Sequence, residues 1–302
     1  MPDVIELERL TKSYGDRRGV VELGFSVSRG EVFGYLGPNG AGKTTTIRTM
    51  LDLIRPTSGS ARVFGLDSHA NALEIHRRVG YLPGEFGMYD RMTAGEYLRF
   101  FGSLRGDVDD AAILAVAERL QLALGDPIKE LSHGNKQKIG LVQAFMHRPE
   151  LLILDEPTQG LDPIVQQEFH AMLAEARDEG RTIFLSSHVM PEVERLCDRV
   201  GIIREGRLVT IEDIGDLRAK EFRMLEIHLA RHADASAFTR IAGVDRVESE
   251  GETVRLRMIG AMDPLIKTLA RFDVVDVVSH EPSLEDIFLE HYGGDGRPSD
   301  VR

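Results

Sequence analysis

The chain has 302 residues, 42% of them hydrophobic and 28% charged, which is enough for about two folded domains with proper cores. No apolar run approaches the roughly 18 residues that a membrane-spanning helix needs, and the opening MPDVIELERL puts acids where a secretory signal would be basic and then apolar. A cytoplasmic protein is expected. With 49 acidic against 37 basic residues the net charge is −12, which disfavours a non-specific grip on nucleic acid, and Cys197 alone can build neither an internal disulfide nor a cysteine metal site.

Short apolar alternations from Val4 to Val27, broken at Gly15-Asp16, predict antiparallel strands. Glu31–Leu36 reads as a buried strand. A glycine-rich turn follows, then a helix over Thr44–Ile54 that stops before Pro56. Residues from Phe86 to His147 read as mostly helical, with helical apolar spacing in Ala111–Leu124. Leu151–Leu154 and Thr182–Leu185 are further buried strands. Gly201–Ile203 and Leu208–Ile211 form a hairpin around Glu205-Gly206. The pattern is one α/β core with a helical block (about 86–148) inserted between its second and later strands.

From about residue 219 to 292 the order changes. Strands at Met224–Leu229, Val244–Ser249, Thr253–Ile259 and Val274–His280 alternate with helices at Ala235–Ile241 and Asp263–Arg271. That β-α-β-β-α-β order predicts a small α+β ferredoxin-like domain, closed by a last helix at Ser283–Tyr292. The tail from Gly293 is rich in glycine, proline and charge and is expected to be disordered.

Gly37-Pro38-Asn39-Gly40-Ala41-Gly42-Lys43-Thr44-Thr45 fits the phosphate-loop pattern G-x-x-x-x-G-K-[ST] in full. Its glycines let backbone N–H groups surround nucleotide phosphates, and the helix starting at Lys43 adds the positive end of its dipole. Lys43 is expected to bridge the β- and γ-phosphates and Thr44 to ligate Mg²⁺. Leu151–Leu154 runs into Asp155 and Glu156, and a parallel sheet delivers such a strand end to the edge that holds the phosphate loop. Asp155 is then placed for the Mg²⁺ shell and Glu156 for the general base that activates water.

Leu131-Ser132-His133-Gly134-Asn135-Lys136-Gln137 precedes that strand and opens another helix. It resembles the LSGGQ signature of ABC-type ATPases, with His133 in place of the first glycine and Asn135 in place of glutamine. The resemblance implies that Ser132, Gly134 and Asn135 cap the γ-phosphate of ATP bound to the opposite subunit. Three further positions match the same family over residues 4 to 215. Gly160-Leu161-Asp162 matches the loop through which two sites communicate, with Asp162 at the nucleotide. His188 matches the switch histidine, and Tyr14 the ring under the adenine. The family's Mg²⁺-linked glutamine is replaced here by Gly84, and Glu85 is the candidate stand-in.

The fold class implied is a P-loop NTPase core with an inserted helical subdomain and an antiparallel β subdomain. The function implied is an ATP-hydrolysing transporter subunit, at the cytoplasmic face of the membrane, working with a permease on a separate chain. The second ATPase subunit is a further copy of this chain, or else a related one. Pro282-Ser-Leu-Glu-Asp-Ile-Phe-Leu289 and LSHGNKQK resemble the daunorubicin-resistance group of drug exporters. Two alternatives stay open: a soluble ABC-type ATPase acting on ribosomes or nucleic acid, and a small-metabolite kinase.

Overall fold

A computed structural model describes residues 3–15, 17–85, 87–106, 108–219 and 222–280. The chain divides into two units, Met1–Ile214 and Gly215–Arg302. The expected helix at Ser283–Tyr292, the Pro282–Leu289 string and the tail from Gly293 lie outside the described residues.

In the first unit β1 (Asp3–Tyr14) pairs antiparallel with β2 (Arg17–Ser28), and β3 (Val32–Leu36) follows, buried along its whole length. α1 (Lys43–Met50) is shorter than the apolar spacing predicts. Asp52 takes a left-handed φ of 55°, and the Leu53 and Ile54 amides both return to the Arg48 carbonyl, which closes the helix early. β4 (Ser58–Val63) and β5 (Leu66–Asp67), for which the sequence carried no reading, complete an antiparallel sheet of order β2-β1-β4-β5.

Then come α2 (Ala72–Arg78) and β6 (Val79–Leu82), and after them the helical block of α3 (Ala94–Ser103), α4 (Asp110–Arg119) and α5 (His133–Phe145). Thr93 and Glu96 exchange side-chain and backbone bonds in a capping box that starts α3. The chain returns through β7 (Leu151–Asp155), α6 (Pro163–Asp178), β8 (Thr182–Ser187), α7 (Met190–Leu196), β9 (Arg199–Arg204), β10 (Arg207–Asp213) and α8 (Ile214–Ala219).

The central sheet has the order β10-β9-β3-β8-β7-β6, parallel except for the β10 edge. Both of its faces are covered, which is why β3, β7 and β8 read as continuous apolar runs instead of alternating ones. Phe25 of β2 stacks on Phe33 of β3 with ring centroids 5.4 Å apart, and Phe184 of β8 lies 5.8 Å from Phe33. These rings join the two sheets into one core. No helix among the described residues is long and apolar enough to cross a membrane.

Register decides where the chemistry lies. Leu36 pairs with Ser187 and Asp155 with Ser186, so β3, β7 and β8 end level. The phosphate loop, Glu156 and His188 therefore leave the sheet at one edge.

The helical block is pinned to the sheet by Arg105, just after α3. Its Nη1 donates to the carbonyls of His76 and Val79 at 3.0 and 2.9 Å and to His147 Nε2 at 2.8 Å. A guanidinium only donates, so His147 Nε2 accepts and the ring is neutral. Burial, reinforced by the Arg105 charge, pushes the His147 pKa from 6.5 down to about 4.

In the second unit β11 (Phe222–Leu229), β12 (Val244–Glu250), β13 (Thr253–Ile259) and β14 (Val274–His280) form an antiparallel sheet of order β12-β13-β11-β14, with α9 (Asp263–Leu269) between the last two in sequence. Each edge strand is separated from the strand that precedes it in sequence by an inserted strand, as in the ferredoxin-like arrangement. Leu225, Ile227, Val254, Leu256 and Met258 alternate into the core, while Glu226 pairs with Arg255 outside it. The helix expected over Ala235–Ile241 shrinks to a single 3₁₀ turn at Ala235–Ala237. The Asp234 carboxylate accepts the Ser236 amide and the Thr239 hydroxyl donates to the Ser236 carbonyl, local bonds that compete with a helical ladder.

The neutral His147 predicts how stability follows pH. The unfolded ring takes its proton near 6.5 and the folded one only near 4, so its contribution is whole above pH 6.5 and is lost as pH falls toward 4. Between pH 7.5 and pH 5, His147→Gln should lose about 1–2 kcal/mol less stability than the parent chain, read by urea unfolding with circular dichroism. Equal losses would show that His147 is not the group responsible.

Candidate active site

The phosphate loop surrounds a depression of about 200 Å³ lined by Gly19, Pro38 to Thr45 and Glu156. Gly42 ends the loop with φ +111°, a conformation open to glycine, and caps α1 without any side chain. The first-turn amides are thus left for a ligand, and no acid stands in that turn. Lys43 is the one cationic side chain of the lining. Its Nζ donates to the Gly37 carbonyl at 2.5 Å and lies 3.0 Å from Glu156 Oε1. It is 6% exposed, so its charge acts in a medium where it counts.

Asp155, the last residue of β7, is fully buried. Thr44 Oγ1 donates to its Oδ2 at 2.7 Å and Ser186 Oγ to its Oδ1 at 2.5 Å. Two hydroxyls thus hold the carboxylate facing the phosphate loop. Glu156 turns out of the strand with a left-handed φ of 52°, a strained conformation for a side-chain-bearing residue. The turn aims its carboxylate at two partners at once: Oε1 meets Lys43 and Oε2 lies 2.8 Å from His188 Nδ1. Lys43, Glu156 and His188 form a continuous chain of contacts along the lip of the depression.

Ser132 caps α5 by accepting the Asn135 amide at 3.3 Å. Gly134 lies so close to the Gly160 carbonyl that an added Cβ would collide with it. The start of α5 and the Gly160-Leu161-Asp162 loop therefore meet backbone to backbone. Gln137, buried one turn further on, donates to the carbonyls of Glu156 and Pro157 at 3.1 Å each. Asp162 caps α6 by accepting the amides of Ile164 and Val165 at 3.1 and 3.0 Å. Those amides, the Val165 bond foremost, hold its carboxyl below the usual range.

Tyr14 is half-exposed at the end of β1, with the Lys12 ammonium 5.2 Å above its ring. Glu85 is exposed, and Gly84 is the residue that faces the buried acid: a Cβ on Gly84 would lie 3.1 Å from Asp155 Oδ2. Ser186 and the bridge made by Gln137 were not singled out by the sequence reading. Both sit inside recognised strings, yet only tertiary packing shows that one holds Asp155 and the other the Glu156 backbone.

A parallel α/β sheet with a phosphate loop, a buried acid beside its threonine, and a second acid bonded to lysine and histidine defines a nucleoside triphosphatase. The family described as "ABC transporter" matches residues 20–159. The bacitracin transport ATP-binding protein BcrA of Bacillus licheniformis is 37% identical over 310 residues, covering 97% of this chain and 99% of that one. The linearmycin resistance ATP-binding protein LnrL of Bacillus subtilis (strain 168) is 32% identical over 306 residues, 96% and 98% of the two chains. Among solved structures, one described as the ATP-binding subunit of an ABC transporter aligns with a TM-score of 0.66 at 30% identity, over 72% of this chain and 92% of that chain. This chain belongs to the ABC transporter family, as an ATP-binding subunit with the family's ATPase activity. Subunits of this kind dimerise and work with membrane permeases.

Ser186→Ala tests the holding of Asp155. Leaving Oδ1 buried without a donor should lower stability by about 1–3 kcal/mol, and Mg²⁺-dependent turnover should fall with it, in a steady-state ATPase assay beside thermal unfolding. An unchanged melting temperature and rate would mean that Thr44 alone suffices.

Proposed function

We propose that this chain powers export of drug-like or other hydrophobic compounds, by ATP-driven head-to-tail closure of two subunits coupled to a permease on a separate chain. The observation that carries the reading is the Lys43–Glu156–His188 chain at the lip of the phosphate depression. The export of drugs is supported by the names of BcrA and LnrL, each aligned over nearly its whole length. A cytoplasmic position, at the membrane through the permease, goes with it.

ATP enters with its phosphates in the loop and its adenine on Tyr14. Lys43 and the free amides of α1 take the β- and γ-phosphates, a charge that draws the ammonium from Glu156. Thr44 and Asp155 are the oxygen ligands that suit Mg²⁺, with Glu85 as a further carboxylate in place of the family's glutamine. The set is all hard oxygen, and among the described residues no group of three or more His, Cys, Asp or Glu stands ready for a metal. That suits an ion which shares its ligands with substrate phosphates. Mg²⁺ supplies neutralisation of phosphate charge there.

Closure brings Ser132, Gly134 and Asn135 of a second subunit over the γ-phosphate, with Asp162 of the neighbouring loop beside it. Glu156 takes a proton from water as its oxygen bonds to the γ-phosphorus. The bond from that phosphorus to the β–γ bridging oxygen breaks, and ADP and phosphate result. His188 donates to the γ-phosphate and, through its bond to Glu156, orients the base. Two copies of this chain make the simplest pair. The helical block, where Tyr89 and Phe100 are exposed beside Tyr97 and Phe101, would pass the motion to the permease.

Glu156→Gln is the direct test. Turnover should drop about 10²- to 10⁴-fold, and light scattering should show a dimer trapped by ATP and Mg²⁺. A variant that hydrolyses like its parent and stays monomeric would remove Glu156 as the base. Glu85→Ala should weaken Mg²⁺-dependent hydrolysis more than nucleotide binding, and equal hydrolysis would end its assignment.

A further inference from the structure

A second acid lies behind the Glu156–His188 pair. Glu192, in the first turn of α7, is only 8% exposed. The Ser187 hydroxyl donates to its Oε2 at 2.7 Å and accepts the Val189 amide at 3.0 Å, so the bonds clasp the chain on either side of His188. On the other flank stands Thr158, two residues beyond Glu156. Its side chain favours the ionised carboxylate, as Ser187 does, while burial works against that form more strongly and raises the Glu192 pKa. Oε1 itself has no hydrogen-bond partner among the described residues.

The helix that carries this acid has little room to drift. Val193 is fully buried, and a Cβ on Gly34 of β3 would come within 2.6 Å of its Cγ1. An alanine or leucine at position 192 would let α7 pack without burying a charge or an unfilled acceptor, so packing does not account for glutamate here. Its geometry does point to a use, since Oε2 holds the residue before His188 while Oε1 is left open on a carboxylate that the Thr158 side chain also influences.

We propose that Glu192 is a positioning residue for ATP hydrolysis: Oε2 holds Ser187 and so the His188 loop, and Oε1, left open among the described residues, is free to take up the Thr158 hydroxyl and so tie that loop to the one leaving Glu156. The proposal rests on the roles given above to Glu156 and His188. It predicts that Glu192 acts on the chemical step more than on the binding of nucleotide, since its hydrogen bond goes to Ser187, outside the lining of the phosphate depression.

The test is steady-state ATPase kinetics of the full chain carrying Glu192→Ala, Glu192→Gln, Thr158→Val and the Ala/Val double variant, with Glu156→Gln as reference and thermal unfolding in parallel. Glu192→Ala should lower kcat about tenfold with KM for ATP within about twofold. Glu192→Gln, whose amide oxygen still accepts from Ser187 and whose NH₂ can meet Thr158, should recover kcat to within about threefold of the parent. The double variant should be no slower than Glu192→Ala alone, because the two side chains act through one contact. Parental kcat in Glu192→Ala, a Gln variant as slow as the Ala variant, or multiplying effects in the double variant would each overturn the proposal. Should Glu192→Ala fail to fold, Thr158→Val alone must lower kcat at unchanged KM, and parental turnover there refutes the clamp. If Glu156→Gln is inactive while Glu192→Ala is parental, only this inference falls; if Glu156→Gln hydrolyses like the parent, the reading of the site falls first.

Discussion

Asp155 accepts one hydroxyl on each carboxylate oxygen, from Thr44 of the phosphate-loop helix and from Ser186 of the neighbouring strand. A fully buried carboxylate is tolerable only when its oxygens are so occupied, and the two donors come from opposite ends of the unit's sequence. That arrangement requires β7 to lie one strand from β3 and to end level with it. The rest of the site depends on the same constraint. The turn that follows Asp155 aims Glu156 at Lys43 on one side and at His188 on the other.

The parallel register that meets this constraint is held by burial and not by local preference. β3, β7 and β8 are covered on both faces, and the rings of Phe25, Phe33, Tyr35 and Phe184 join the antiparallel sheet to the central one. The helical block is joined to this frame at two points of different kind. Arg105 fixes the end of α3 through carbonyls and the neutral His147, whereas Gln137 and Gly134 join the start of α5 to the loop beyond Glu156. A rotation of the block would thus be felt at the backbone that carries the proposed base. This is a physical route by which a partner's motion could reach the chemistry, and it runs through hydrogen bonds to main-chain atoms that no side-chain motif announces.

The second unit follows another logic. Its sheet is antiparallel, one face packs against Phe238, Leu265 and Leu269, and β11 and β13 alternate between core and charge. Period-two alternation is the strand signal that sequence carries best, which is why β11 and β13 were legible. The helix expected at Ala235–Ile241 was not to be had, because Asp234, Ser236 and Thr239 satisfy the backbone locally and Phe238 is buried from a single turn.

By itself the sequence determined the elements whose signal is local. These are the phosphate loop with its left-handed glycines, the apolar runs of the buried strands, the acids at the end of β7, and the cap that Ser132 gives α5. It also determined the family, since those strings occur in order at their proper spacing. It left β4, β5, β6 and α2 unread, because elements this short carry weak periodicity. Tertiary structure alone decided that Ser186 and not a neighbour holds Asp155, that Gly84 and not Glu85 faces it, and that Glu192 lies behind the Glu156–His188 pair. Each of these is a contact between residues far apart in sequence or facing inward from one turn, and its existence depends on register and packing, which no local string encodes.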